Sequence, residues 1–222
     1  MRHAIGFGLL LTAAALISAL GLALGGTGKR TLVRGVAEER WPAETLQDWV
    51  GFADHVAWVT VLAEQRLSTD PAVLASGTGR VERIVDVRVE SIVWSRGLAS
   101  ALPERLTLAV DGWWQEGGEI VPFASLGWHR PAVGESLLVP LLLTTDLGWA
   151  LLDSPLPVVA GRVEPGPGVG EPADDLAGLT LVKAGERLGA TRPSDVALAK
   201  QALDPDVRAQ AVFDDREAGG GG

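Results

Sequence analysis

The sequence predicts a mainly β protein: a small antiparallel barrel or sandwich, preceded by an N-terminal membrane helix and a short helix and followed by short C-terminal helices. Three observations predict it. Val85, Val87 and Val89 alternate with Asp86, Arg88 and Glu90, the period of a strand with one buried and one wet face. The run HVAWVTVLAEQ, starting at His55, is apolar at both parities, as in a strand with covered faces on both sides. The other short apolar runs are separated by turn residues with no amphipathic helix between them, which argues against a parallel α/β sheet.

In chain order, no charged residue occurs from Ala4 to Leu24. As a helix that stretch crosses a hydrocarbon core of about 30 Å. It is longer than an ordinary signal-peptide core, so an uncleaved anchor is expected; the alternative is secretion after cleavage near Gly25, where Ala23 and Gly25 supply small residues. Arg2 precedes the stretch and Lys29, Arg30 and Arg34 follow it, which favours a cytoplasmic domain by charge alone. A short basic start before an apolar run is nevertheless an export pattern, and long domains translocate largely regardless of charge, so the domain is expected outside the cytoplasm.

Trp41-Pro42 is read as the start of a helix that puts Leu46, Trp49, Val50 and Ala53 on one apolar face. Ser68 to Gly79 is read as a loop. Further strands are expected at Leu106 to Val110, Ile120-Val121, Ser136 to Leu143, Trp149 to Leu152 and Val158 to Val163. From Glu164 the segment PGPGVGEP reads as a linker, followed by helices at Leu179 to Leu188 and at Ser194 to Leu203 with Ser194 as N-cap. The expected organisation is therefore residues 1–30 as anchor or signal, 31–163 as the β domain with its leading helix, 164–213 as linker and short helices, and 214–222 as a disordered tail.

The chain of 222 residues carries a formal net charge of -9, and no Cys supplies a disulfide, a thiolate zinc site or a lipidation point. A surface this acidic, without a basic stripe, repels phosphate backbones and excludes nucleic acid as an expected partner.

Ala53, Asp54 and Val56, and later Val133, Gly134, Glu135, Leu138 and Val139, form an Ala-Asp-x-Val strand followed by a Val-Gly-Glu-x-x-Leu-Val strand. Over roughly residues 45 to 163 this order resembles a loosely defined group of uncharacterised bacterial exported or membrane-anchored proteins with OB-like β-barrel domains. The resemblance implies an OB-like barrel and no particular activity.

Candidate chemistry is sparse. His55 and His129 are the histidines outside the N-terminal tip. A hydrolase would need one of them beside a nucleophile and an orienting acid. Ser125 and Ser136 lack the G-x-S-x-G elbow, and Asp54, adjacent to His55 in sequence, need not point the same way. Asp174-Asp175 and Asp214-Asp215 lack the spacing of a calcium loop, and Gly166, Gly168 and Gly170 sit in the linker and not between a strand and a helix, so no metal or cofactor is expected.

Tryptophan is abundant, with eight residues against four Phe. Trp49, Trp58 and Trp94 are read as packing residues. Trp113 and Trp114, adjacent in DGWWQEGGE, must face opposite ways in an extended chain. One of them is expected to be exposed and available to stack on a ligand or a partner, the alternative being that both pack on the barrel rim, and Trp128, with Trp149, is a further candidate for the same patch. The expected function is binding or accessory, through recognition of a protein or glycan at the cell envelope by Trp113, Trp114 and Trp128. The alternatives are an envelope hydrolase using His55 or His129, and a structural or assembly protein docking through its C-terminal helices.

Overall fold

A computed structural model describes residues 33–35, 41–67, 71–166 and 171–219. The expected membrane helix, residues 4–24, lies outside them, and among the described residues no helix is long and apolar enough to cross a membrane.

Nine strands form one curled, mainly antiparallel sheet: β1 (Val33–Gly35), β2 (His55–Arg66), β3 (Thr78–Ser95), β4 (Arg105–Glu116), β5 (Glu119–Ser125), β6 (Ser136–Thr144), β7 (Gly148–Leu151), β8 (Leu156–Val159) and β9 (Arg162–Val163). The order is β1-β5-β4-β3-β2-β6-β8-β9, with β7 also paired to β6, and β1 runs parallel to β5. The register of β2 on β3 shifts between Val56 and Ala57, between Trp58 and Val59, and between Val61 and Ala63. Each such irregularity bends the strand and adds twist. The sheet therefore curls into a half-barrel, and β4 approaches β7 although the two are not paired.

The two-sided apolarity of β2 has a direct cause. It is a central strand between β3 and β6, and both of its faces are covered. Ala57, Val59 and Val61 point into the curl with Val85, Val87, Leu108, Val139 and Leu141. Val56 and the half-buried Trp58 belong to the other face, where they meet Leu138 and Leu142 of β6 and a layer of helices. One sheet thus separates two apolar clusters.

The helical layer begins with α1 (Leu46–Phe52), not at Trp41-Pro42 as the sequence suggests. Thr45 and Asp48 form a reciprocal capping box that fixes the start, while Trp41 and Pro42 are buried ahead of it. Leu46, Trp49, Val50 and Ala53 are all buried, as the spacing predicts. Part of the expected loop before β3 is a short helix, α2 (Pro71–Ser76).

Four helices follow β9: α3 (Glu171–Leu176), α4 (Leu181–Ala190), α5 (Asp195–Ala199) and α6 (Pro205–Gly219). Thr180 caps α4 and Ser194 caps α5, each accepting from a backbone N–H three residues on. Helix α3 starts within the segment read as linker, with Pro172 in its first turn, where a missing N–H removes no helical bond. Helix α6 extends through Asp214 to Gly219, part of the stretch expected to lack structure. These helices pack back onto the sheet: Leu176, Ala184, Leu188, Ala197, Ala209 and Val212 share the outer cluster with Trp49 and Leu138.

A buried carboxylate ties this layer to the barrel. Asp54, between α1 and β2, accepts from the Leu143 N–H at 2.8 Å and pairs with Arg96 just beyond β3. Arg96 also donates to the Gln201 carbonyl after α5 at 3.4 Å. Behind it Arg208 of α6 is fully buried, donating to the Gly51 carbonyl at 3.1 Å with its guanidinium 5.4 Å from the Phe52 ring centre. Burial and the neighbouring Arg96 lower its pKa to about 10, so it remains charged at neutral pH. Asp54→Asn leaves Arg96 without its acid and reduces the negative charge facing Arg208. It is expected to lower stability by about 3 kcal/mol, the scale for breaking a buried ion pair, as read by urea unfolding.

Candidate functional site

At the end of the barrel where β4 turns into β5, a β-bulge gathers the polar groups. Val81 pairs with Trp113 and Arg83 with Val110, so Glu82 alone stands opposite both Asp111 and Gly112. Gly112 is needed for this close approach, because a Cβ there would lie 2.1 Å from the Val81 carbonyl oxygen.

The bulge places Asp111 inside the sheet. Its carboxylate accepts from the Ser125 N–H at 2.6 Å, the Ser125 hydroxyl at 3.0 Å and Arg80 at 2.9 Å, which fixes the end of β5. Arg83 is buried beside it. One Nη donates to Glu64 of β2 at 2.5 Å and to the Pro131 carbonyl at 2.6 Å, and the other reaches the Asp111 carbonyl at 3.4 Å. A single guanidinium thereby braces β2, β4 and the loop leading to β6.

Arg130 of that loop lies against the same spot. Its guanidinium carbon is 5.3 Å from the Trp113 ring centre, and that of Arg83 is 5.9 Å away, both within cation–π range. Arg80 has Asp111 and Arg83 has Glu64 as acid partners, whereas Arg130 has none among the described residues. Its one hydrogen bond is a long one, 3.3 Å to the Gly112 carbonyl, and its buried Nε has no acceptor. Desolvation, then repulsion from Arg83, lowers the Arg130 pKa against the opposing pull of Glu64 and Asp111.

The loop is closed by His129, whose Nε2 meets Glu135 at 2.7 Å while its backbone N–H donates to Ser154 at 2.8 Å. The other Glu135 oxygen accepts from the Ala132 N–H at 2.8 Å. Burial alone would raise the Glu135 pKa. The hydrogen bonds from His129 and Ala132, with the charges of His129 and Arg83, outweigh it and hold the carboxyl below its ordinary value.

Of the residues singled out in the sequence, Trp113 and the Trp128 segment meet here, through Arg130. Trp113 is half-buried; Trp128, like Trp149, is partly buried and packs on the inner cluster. Trp114 lies on the opposite side of β4, 6.3 Å from Phe123, whose ring carries Arg80 at 5.0 Å. All three are partly accessible, but the three do not form one patch.

The two histidines lie apart. His129 meets a carboxylate, and the Ser125 hydroxyl is engaged by Asp111. His55 lies at the other end of β3, against Ser95 and the Ser100 carbonyl, while the adjacent Asp54 turns away to Arg96. A cleft lined by Leu62, Asp86, Arg105 and Thr107 holds one acid, Asp86, which accepts from Thr107 at 2.6 Å, and among the described residues no histidine lines it. No three His, Cys, Asp or Glu side chains cluster as metal ligands among the described residues.

The sequence reading missed Arg83, Asp111 and Arg130. A signal existed for Arg83, which continues the inward parity of Val81, Val85 and Val87, where a charged residue must find partners.

Compared with known proteins, the chain matches no family model and no curated protein.

Because Glu135 has a lowered native pKa, its contribution to stability is present above the ordinary carboxyl value of 4.5 and is lost as pH falls through the lower native one. Glu135→Gln is therefore expected to flatten the stability profile on the acid side, with a smaller loss than the parent chain as pH falls below 4.5 in denaturant titrations. An unchanged acid limb would remove Glu135 from the account.

Proposed function

We propose that this chain is a binding or accessory domain, an OB-like barrel held at a membrane by residues 4–24 with the domain outside the cytoplasm, that recognises a protein or glycan of the cell envelope. The observation that carries the reading is the constellation of Trp113, Arg83 and Arg130. A half-buried indole and a guanidinium without an acid sit together on a brace made of three strands and a loop. Tryptophan and arginine are the side chains that most often dominate binding energy, and both act best when their surroundings hold them rigid. Arg130 retains donor capacity for an acceptor on a partner. Trp128 supports the same loop from the barrel interior. Trp114 contributes from the other face and is assigned a separate, weaker contact.

The membrane part of the reading rests on the uncharged stretch from Ala4 to Leu24. Loss of a C-terminal tag when intact cells are treated with an impermeant protease is the expected outcome; protection that disappears on lysis would put the domain in the cytoplasm. For recognition, Trp113→Ala with Arg130→Ala is expected to weaken retention on envelope fractions by about tenfold, the ~1.4 kcal/mol of a modest hot spot, without unfolding the barrel. Equal retention by the parent and the double variant on every envelope fraction would end this reading.

A further inference from the structure

At the end of β3 opposite Trp113, the structure places an exposed hydroxyl on a buried imidazole. Ser95 is the last residue of β3 and is exposed, whereas its cross-strand partner His55 is 4% exposed. Ser95 Oγ lies 2.6 Å from His55 Nδ1, and His55 Nε2 lies 2.7 Å from the Ser100 carbonyl oxygen. A carbonyl only accepts, so the hydrogen-bond network assigns the proton to Nε2. In the neutral ring Nδ1 is then the acceptor and Ser95 the donor. Trp149, 5.5 Å away between ring centres, packs against the imidazole. These are the relations of a nucleophile and its general base, with the base oriented from behind.

The surroundings indicate a substrate class. Leu98 is 90% exposed in the turn that follows Ser95, and Leu147 is 58% exposed two residues before Trp149. Leu203, 42% exposed, lies in the segment that Arg96 and Thr145 hold to this end of the barrel through Gln201 and Asp204. Exposed apolar side chains on the segments that adjoin Ser95 and Trp149 suit a substrate with an apolar part.

We propose that Ser95 and His55 form a nucleophile and base pair that cleaves esters of apolar acyl chains. Ser95 Oγ attacks the ester carbonyl carbon, its proton passes to His55 Nδ1, and the bond from that carbon to the alcohol oxygen breaks as the proton is delivered to the departing alkoxide. Water then attacks the acyl-serine by the same route, releasing the carboxylic acid and restoring the Ser95 hydroxyl. During each transfer the imidazolium is held by the Ser100 carbonyl. The backbone N–H groups of Gly97 and Leu98, without acceptors among the described residues, are the donors the adjoining turn offers to the oxyanion.

The test uses the full chain in mild detergent, an alkyl fluorophosphonate that reports serine nucleophiles, and p-nitrophenyl esters of acetate and octanoate. The expected result is an adduct mapped to Ser95 by peptide mass spectrometry and lost in Ser95→Ala. Labelling should fall at least about tenfold in His55→Gln, the lower end of what a positioned base contributes, and octanoate should be cleaved faster than acetate. Ser95 is exposed, so Ser95→Ala is expected to keep the parent's circular dichroism and melting curve. No adduct at Ser95 overturns the proposal, as does labelling that a folded His55→Gln variant leaves unchanged. An adduct with no preference for octanoate overturns the acyl-chain assignment.

Discussion

The arrangement depends on one buried carboxylate. Asp54 sits where α1 ends and β2 begins, and it receives a main-chain N–H of β6 and the side chain of Arg96. These groups come from three separate parts of the chain. A surface pair of this kind would contribute little, because water and salt compete for both partners. Inside, the same carboxylate cannot be left alone, so every element that supplies it a donor is constrained to arrive together. Arg96 then passes the constraint to the segment after α5, and Arg208 adds a second cation behind it. The outer cluster supplies the apolar area that drives the helices onto the sheet; Asp54 fixes where they dock.

The same sheet serves two layers because β2 is apolar at both parities and central in the strand order. A flat sheet would give two open faces. The three register shifts of β2 against β3 curl it, so that the inner face becomes the barrel interior while the outer face remains a platform for helices. The bulge at Asp111 and Gly112 repeats this device on β4 and turns a polar residue into the interior, where Ser125 and Arg80 satisfy it.

Much of the fold was legible because period-2 patterns survive burial. The strands around Val85 and from Ser136 stand where their alternation and turn residues put them, and the apolar face of α1 is buried as its spacing required. What was not legible came from groups whose partners are distant in sequence. Helix α6 has few apolar residues to announce it. Its start is set by Asp204, which accepts from the Asp206 N–H, and by Pro205 in the first turn. The leading helix begins at Thr45 because Asp48 completes the capping box, a signal that the reading from Trp41-Pro42 passed over. The site divides in the same way. That Trp113 and Trp114 face apart follows from strand geometry alone. That Arg130 rather than another tryptophan meets Trp113 depends on a loop carried back across the bulge, and the meeting of His55 with Ser95 depends on which residues β2 and β3 pair.

Among the described residues Arg83, Arg96, Arg130 and Arg208 each have a buried nitrogen without an acceptor, and comparison of the last two shows how burial alone differs from availability. Arg208 lacks acceptors on Nε and Nη2, yet it is wholly enclosed, its charge offset by Asp54 and Asp204, and nothing outside can reach it. Its part is to hold α6 in place. Arg130 likewise has a buried Nε without an acceptor, but it is half-buried, lies beside the like charge of Arg83, and rests on an indole. A charge kept partly desolvated next to another of the same sign is unfavourable in the free protein, and an acceptor arriving from outside relieves that state more than it would relieve a solvated arginine. On the proposed binding role, an incoming acceptor would therefore gain more at Arg130 than at Arg208. In the proposed binding role the brace through Arg83 and Glu64 would act in the same direction, by keeping the loop from relaxing into solvent.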